Sequence, residues 1–513
     1  MAGRGAPPKP SSLPEDILDK LQVELKVDVE DARQKYDIEG LLSFQRLANY
    51  MAVAQIFLQA NARLTEPLEK VHVKRRLLGH FGTCPGLNLT YAHASSLVSR
   101  HAKQGDDIQM LYVTGPGHGA PAVLADLYIE GSITRFYPQY AMNEVGFDRF
   151  IRSFSWPGGF PSHVNAETPG AIHEGGELGY ALAVSYGSVM DKPDLITLCV
   201  VGDGESETGP TATAWHAHKF IDPAESGAVL PILHLNGFKV FYLYDPMLVS
   251  THVSTQISER TIPGTMDNIE LVALFTGYGY QVRFVEYGDL AQSKEEHTEK
   301  EIKLNANMAV SMEWAYGEIR RIQQAARSGK PIDKPRWPLI IMRTPKVMEH
   351  ALLLRSIQLI HLVQGMTGPR SLKDTPLEGS FHSHQVPLAK AMSDDGQLKI
   401  LSDWLTSYGI EDLLVKGGAG DKPDEFIKGS VLRILPERVD RRLGMIKESY
   451  AGYTALDIPD FEAFGNDEEK EISAMKALAK YLSVVIEKNP KTFRIFSPDE
   501  FESNKLDGVF SST

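Results

Sequence analysis

Asp203 stands between two glycines at the end of an apolar run, in LITLCVVGDGESETGP (195–210), and Asn236 ends the next such run, in VLPILHLNG (229–237). Gly202 and Gly204 let the backbone turn tightly and approach a ligand. An aspartate, an amide oxygen and a nearby main-chain carbonyl are hard oxygen donors, and with two diphosphate oxygens and a water they complete an octahedron around Mg²⁺. The pattern therefore points to a metal-bridged diphosphate. Glu205 and Glu207 flank the aspartate, but acids also suit the first turn of the helix they open, so capping or support is the plainer role for both.

A second glycine-rich turn, GPGHG (115–119), follows the run IQMLYVTG (108–115) and opens the helical stretch APAVLADLYIEG. Its main-chain N–H groups can face an anion at the helix start. His118 within it is placed to donate to a phosphoryl oxygen or to act at a reacting carbon, unless it is a surface loop residue. Four more histidines sit in loops: His80 in LLGHFGT, His163 in FPSHVNAETPG, His173 in AIHEGG and His384 in FHSHQVPL. No paired cysteines and no His-x-x-x-His helix accompany them, which speaks against zinc. Neutral imidazoles that donate hydrogen bonds and pass protons near neutral pH suit a sugar phosphate better.

These residues need a scaffold that brings strand ends together. Short apolar runs at 108–115, 195–204, 229–237, 281–286 and 338–344 read as strands, with helical periodicity between them, notably at 173–190 and 307–329. Such alternation predicts an α/β fold with a mostly parallel sheet flanked by helices, ligands binding beyond the carboxyl ends of the strands. Before it, LLSFQRLANYMAVAQIFLQAN (41–61) reads as one long helix. The expected divisions are an extended or disordered leader over 1–40, a diphosphate-binding domain over 41–385, a polar linker region over 386–489, and a fresh strand opening another domain over 490–513.

The 513 residues carry 66 acidic against 53 basic side chains, a formal charge of −13, with no basic run that tracks a nucleic-acid backbone. Only Cys84 and Cys199 are present, too few for a disulfide framework. The amino terminus lacks an apolar signal core, and the least polar window, Ala351 to Val363, is too short to span a bilayer. A cytoplasmic protein without nucleic-acid or membrane partners is expected.

Taken together, LLGHFGTCPGLN, YVTGPGHG, SWPGGFPSHV, HEGGELGYAL, VVGDGESETGP, AVLPILHLNG, RTPK and GSFHSHQVPL resemble the phosphoketolases, thiamine-diphosphate enzymes acting on xylulose 5-phosphate and fructose 6-phosphate. The resemblance implies that Asp203, Asn236 and the main chain near Phe238 hold Mg²⁺, and that His118, Gly176, Gly204 and Glu205 line the diphosphate. It implies that His80, His163, Lys346 and His384 face the substrate and the thiazolium, with His118 near both groups. Such enzymes deliver acetyl phosphate by attack of inorganic phosphate and work as homodimers, the partner supplying a glutamate to the aminopyrimidine. Transketolase-like transfer to an aldose and a non-catalytic regulatory partner are the alternatives.

The resemblance also sets an expectation that the chain is an amino-terminal part, inactive by itself, interrupted at Val240–Gln256 and Val347–Gln364. Both segments begin with Val and end with Gln, residues whose codons can carry the GT and AG borders of an intron. Retained introns are the expectation, lineage-specific loops the alternative.

Overall fold

The computed structural model describes residues 16–236, 238–242, 256–288, 293–344, 371–372, 375–376, 386–417, 423–450, 455–465, 473–497 and 500–512. The chain divides into two compact units, Met1–Ser449 and Tyr450–Thr513.

All five anticipated strands form in the first unit: β1 (Gln109–Thr114), β2 (Leu195–Gly202), β3 (Ala228–Leu235), β4 (Tyr280–Glu286) and β5 (Trp337–Arg343). They make one sheet in the order β1-β2-β3-β5-β4, every neighbouring pair parallel. Residues on both faces of β2 and β3 are buried, as expected of a parallel sheet covered on both sides. Register then decides which residues meet. Gly202 pairs with His234, so the chain leaves β2 at Asp203 beside the place where it leaves β3 at Asn236.

The covering helices include α1 (Ile38–Phe57), α2 (Cys84–Lys103), α3 (Ala120–Glu130), α4 (Ala181–Val189), α5 (Asn268–Tyr278), α6 (Lys294–Arg327) and α7 (Asp395–Ser407). Helices α1, α2 and α3 pack on one another, α4 lies on β2 and β3, and α6 on β4 and β5. α1 is buried from Leu47 through Phe57 without a polar stripe, the pattern of a core helix. It stops at Phe57, four residues short of the expected end, because Leu58 takes extended geometry and bridges Val73 while the N–H groups of Gln59 and Ala60 turn to the His72 carbonyl. α6 begins thirteen residues earlier than its apolar periodicity suggested, since Ser293 caps it by accepting from the Glu296 N–H. α4 is shorter than expected, because the glycine-rich HEGGELG segment before it stays a loop.

Two expected boundaries differ from the structure. Within the supposed leader, Val29–Tyr36 is a helix whose Asp28 cap accepts from Glu30 and Asp31, with Ala32 and Tyr36 buried, and the Val23 N–H donates to the Val282 carbonyl of β4. Within the supposed linker, α7 buries Leu401, Trp404 and Leu405. The Trp404 ring meets Phe81 at 4.9 Å and Phe57 at 6.1 Å, so residues 386–449 belong to the first unit. In the second unit α8 (Ala474–Lys488) is followed by Asn489, which exchanges hydrogen bonds with the main chain of Asp457 at 2.9 and 2.8 Å. The strand expected near Phe493 to Phe496 is irregular instead.

A buried polar node ties α1, α2 and α6. Gln45 Nε2 donates to Asn305 Oδ1 at 2.7 Å, and His93 Nε2 lies 2.9 Å from the same oxygen. An oxygen accepts, so His93 carries its proton on Nε2. Burial holds this imidazole down at about 4, against the ordinary 6.5. The unfolded imidazole takes up a proton below about 6.5 while the folded one resists to about 4. The node therefore contributes fully above about 6.5 and its contribution is lost as pH falls toward 4. In His93→Gln the acid limb of a urea-denaturation pH series should flatten by roughly 3 kcal/mol.

Two helical glycines should respond oppositely to alanine. A Cβ at Gly86 of α2 would fall 2.3 Å from the His234 ring, which is held between Thr83 Oγ1 at 3.3 Å and Thr344 Oγ1 at 3.0 Å. Gly86→Ala should lower unfolding free energy by about 1–3 kcal/mol. A Cβ at Gly187 of α4 meets nothing within 4 Å, so Gly187→Ala should raise it by up to about 1 kcal/mol. Urea midpoints at neutral pH read both.

Candidate active site

The turn after β1 is built by glycines in contact. A Cβ on Gly117 would lie 2.2 Å from the Gly175 carbonyl oxygen and 2.3 Å from its Cα, so only glycine lets the two main chains approach. Between them, the Val164 N–H donates to the Gly117 carbonyl at 2.9 Å and the Gly175 N–H to the Val164 carbonyl at 2.8 Å. The turn after β1 and the irregular stretch 154–180 are thereby laddered together, and His118 and His163 converge there with His80 from another loop. The His80 ring lies 5.1 Å from His118 and 5.6 Å from His163, centre to centre. All three rings are partly exposed. Ser162 Oγ lies 3.0 Å from His163 Nδ1, and burial lowers the His163 pKa, favouring the neutral donor-acceptor form. Gly176 is exposed beside it, a Cβ there reaching only the His163 Cβ at 4.0 Å.

Asp203 and Asn236 meet as their strand register requires. Asp203 is 4% exposed; its Oδ1 accepts from the Gly204 N–H at 2.8 Å and its Oδ2 from the Asn236 N–H at 3.1 Å. The Asn236 amide is half-buried at the same edge. This donor set, one carboxylate and one amide at neighbouring strand ends, fits a hard divalent cation. Among the described residues no group of three or more His, Cys, Asp or Glu side chains could hold a metal, so such an ion would depend on main-chain and ligand oxygens as well. Phe238 supplies main chain two residues beyond Asn236, where Phe238–Tyr242 pairs antiparallel with Gln256–Arg260.

Glu205, expected to line the diphosphate, is buried behind the loops after β1 and β2. It is 2% exposed, accepts from the N–H groups of Gly202 at 3.3 Å and Ala181 at 3.4 Å, and occupies the place where a Gly115 Cβ would stand. Burial raises its carboxyl to about 7, opposed by N–H donors of Gly202, Ala181 and Gly179. It braces the loops after β1 and β2 from behind. Glu207 Oε2 likewise accepts the Ile262 N–H at 2.6 Å.

His173 does not join the three imidazoles. It lines a small cavity of about 20 Å³ with Tyr112, Thr114, Thr168 and Gly444, where burial lowers its pKa. Lys346 and His384 lie outside the described residues. Cys84 donates its thiol to the His80 carbonyl at 3.1 Å and Cys199 is buried in β2; burial pushes both thiols up, away from reactivity. Sequence reading missed the glycine contact, although the density of glycine in GPGHG and HEGG signalled close backbone approach, and it gave Glu205 a supporting role without its partners.

Comparison with known proteins gives the same family. The model of the XFP N-terminal domain matches residues 32–454, and that of D-xylulose 5-phosphate/D-fructose 6-phosphate phosphoketolase matches residues 476–513. A probable phosphoketolase of Schizosaccharomyces pombe is 44% identical over 503 residues, covering 98% of this chain and 54% of that protein. One of Synechococcus elongatus is 41% identical over 474 residues, covering 91% and 52%. The chain thus spans about half the length of the curated relatives it matches. A transketolase from Leishmania mexicana aligns at 15% identity and a TM-score of 0.44, over 93% of this chain and 57% of that one, a likeness too low to add to the argument.

These matches correct one expectation. An inactive amino-terminal remnant broken by two intruding segments is not what they describe, since both family models match and the alignment to the yeast relative runs over 98% of the chain. In the structure, Val240–Tyr242 and Gln256–Ser258 pair strand to strand, continuing the ladder begun by Phe238 and Lys239. Residues 243–255 and 347–364 lie outside the described residues. With strand ends, glycine ladder and imidazoles arranged as above and a family model matched over residues 32–454, the chain belongs to the phosphoketolases, a thiamine-diphosphate-dependent enzyme family.

Proposed function

We propose that this chain serves phosphorolytic cleavage of xylulose 5-phosphate or fructose 6-phosphate, at a site to which it contributes the diphosphate-binding residues. The products are acetyl phosphate with glyceraldehyde 3-phosphate or erythrose 4-phosphate. The observation that carries the reading is the convergence of His80, His118 and His163 on the turn after β1, where Pro116 lies 3.6 Å from the place of a Gly202 Cβ, next to Asp203 and its partner Asn236. Among the described residues no helix is long and apolar enough to cross a membrane, and a cytoplasmic setting fits sugar-phosphate substrates.

Asp203, the Asn236 side-chain oxygen and the main chain near Phe238 would hold Mg²⁺, which grips the diphosphate. Gly176 and Gly204 would leave room for its oxygens, and His118 would donate to it from the turn after β1. Bound thiamine diphosphate supplies a carbon nucleophile and an electron sink for cleavage next to a ketone. The residues do the rest. As negative charge gathers on the ketose carbonyl oxygen, His80 donates a hydrogen bond to it. Loss of water from the two-carbon fragment needs a general acid, which His118 or His163 provides from within the same cluster. By the resemblance, Lys346 and His384, which lie outside the described residues, would also face the substrate and the thiazolium. A second copy of the chain is the expected partner.

Cofactor binding is measurable without turnover. Thiamine diphosphate and Mg²⁺ together should raise the Tm, by the equivalent of about 2.7 kcal/mol at a hundredfold excess over Kd. Asp203→Ala should abolish the shift while leaving the apo Tm within a few degrees. An equal shift in Asp203→Ala rules out the strand-end metal site. Acetyl phosphate formed from fructose 6-phosphate only when inorganic phosphate is present distinguishes this reaction from transfer to an aldose, and His118→Ala should cut its rate at least about a hundredfold.

A further inference from the structure

Lys74 is 3% exposed, in an interior where an ammonium is tolerated only when its donors are matched. Its Nζ donates to the main-chain carbonyls of Gln55 at 2.7 Å, Phe154 at 2.8 Å and Ile151 at 3.3 Å. When protonated it uses all three of its hydrogens there, burial lowers its pKa to about 7 so that it titrates within the neutral range, and the Phe154 ring centre lies 5.7 Å away. Gln55 belongs to α1, whereas Ile151 and Phe154 end the helix Glu144–Ser153. Carbonyls at a helix end lack intrahelical donors, and this ammonium supplies one.

Two segments leave this knot for the imidazole cluster. The first runs from Lys74 to His80 and passes Gly79, at φ +146°, where a Cβ would strike Ile56 at 2.8 Å and Phe154 at 3.2 Å. The second runs from Phe154 to His163 through a loop closed by the Ser155 N–H on the Phe160 carbonyl at 2.8 Å. Both His80 and His163 therefore hang from one ammonium-centred bracket, and their rings meet at 5.6 Å.

We propose that Lys74 is a positioning residue for the reaction, fixing the His80 loop against the His163 loop through the three carbonyls it binds. It touches neither substrate nor cofactor. What the imidazoles do rests on the function proposed above; how they are spaced does not. A displacement of the order of 1 Å at such groups costs about a hundredfold in rate.

The test compares Lys74→Met, which keeps the apolar stem and removes the donors, with the wild-type chain. Imidazole ¹H–¹⁵N spectra are followed through a pH titration without cofactor, with exposed His216 as reference. The His80 and His163 resonances should move and their midpoints shift by roughly half a unit or more, His216 staying fixed. In turnover, kcat should drop at least about tenfold with KM within about twofold. Unchanged His80 and His163 titrations in a folded variant overturn the proposal. Should Lys74→Met not fold, Lys74→Gln, which leaves two donors at the knot, is read in the same way. A wild-type protein that makes no acetyl phosphate refutes the proposed function, while the titrations still decide the role of Lys74.

Discussion

The contact between the main chains of Gly117 and Gly175 is the constraint on which the site depends. Two backbones this close leave no space for a side chain on either residue, and Val164 hydrogen-bonds to both. Loops commonly hold catalytic groups more loosely than helices or strands do. Here the loops are fastened rung by rung, so His118 and His163 stand at neighbouring levels of one ladder. Asp203 and Asn236 need no such device, because the parallel register of β2 and β3 already places them side by side.

Buried ionisable side chains have a common use in this unit: they satisfy main-chain groups that secondary structure leaves open. Glu205 takes N–H groups where β2 ends and α4 begins. Glu130, at the end of α3, accepts the N–H groups of Leu443 at 3.1 Å and Gly444 at 2.8 Å and so binds the end of the first unit to its core. Lys74 does the same for carbonyls. Removing such a group leaves several polar atoms orphaned at once, which costs more than the average hydrogen bond contributes.

The sheet was legible because its strands are near-continuous apolar runs, and all five lie within a residue or two of where the sequence puts them. The strand-end pair Asp203 and Asn236 was legible for the same reason. What stayed hidden depends on contacts between distant segments. The end of α1 is set by pairing of residues 58–60 with 72–73, and the partners of Glu205 lie in loops at 115 and 179–181. Neither leaves a local periodic signal. Residues 386–449 read as a linker because their polar turns mask the apolar face of α7, whose partners Phe57 and Phe81 are hundreds of residues away. The motif resemblance placed His80, His163 and Gly176, which composition and spacing alone left as loop residues.

The short pairing of Val23 with Val282 has a wider meaning. β4 is the last strand in the order β1-β2-β3-β5-β4, and its outer side would otherwise present unpaired amide and carbonyl groups to other molecules. Open sheet margins invite intermolecular strand addition and aggregation. The chain's own early segment meets that margin at Val282, through the Gln22–Val282 bridge and the Val23 N–H, so one position of the edge is occupied by residues far in sequence from the strand they meet.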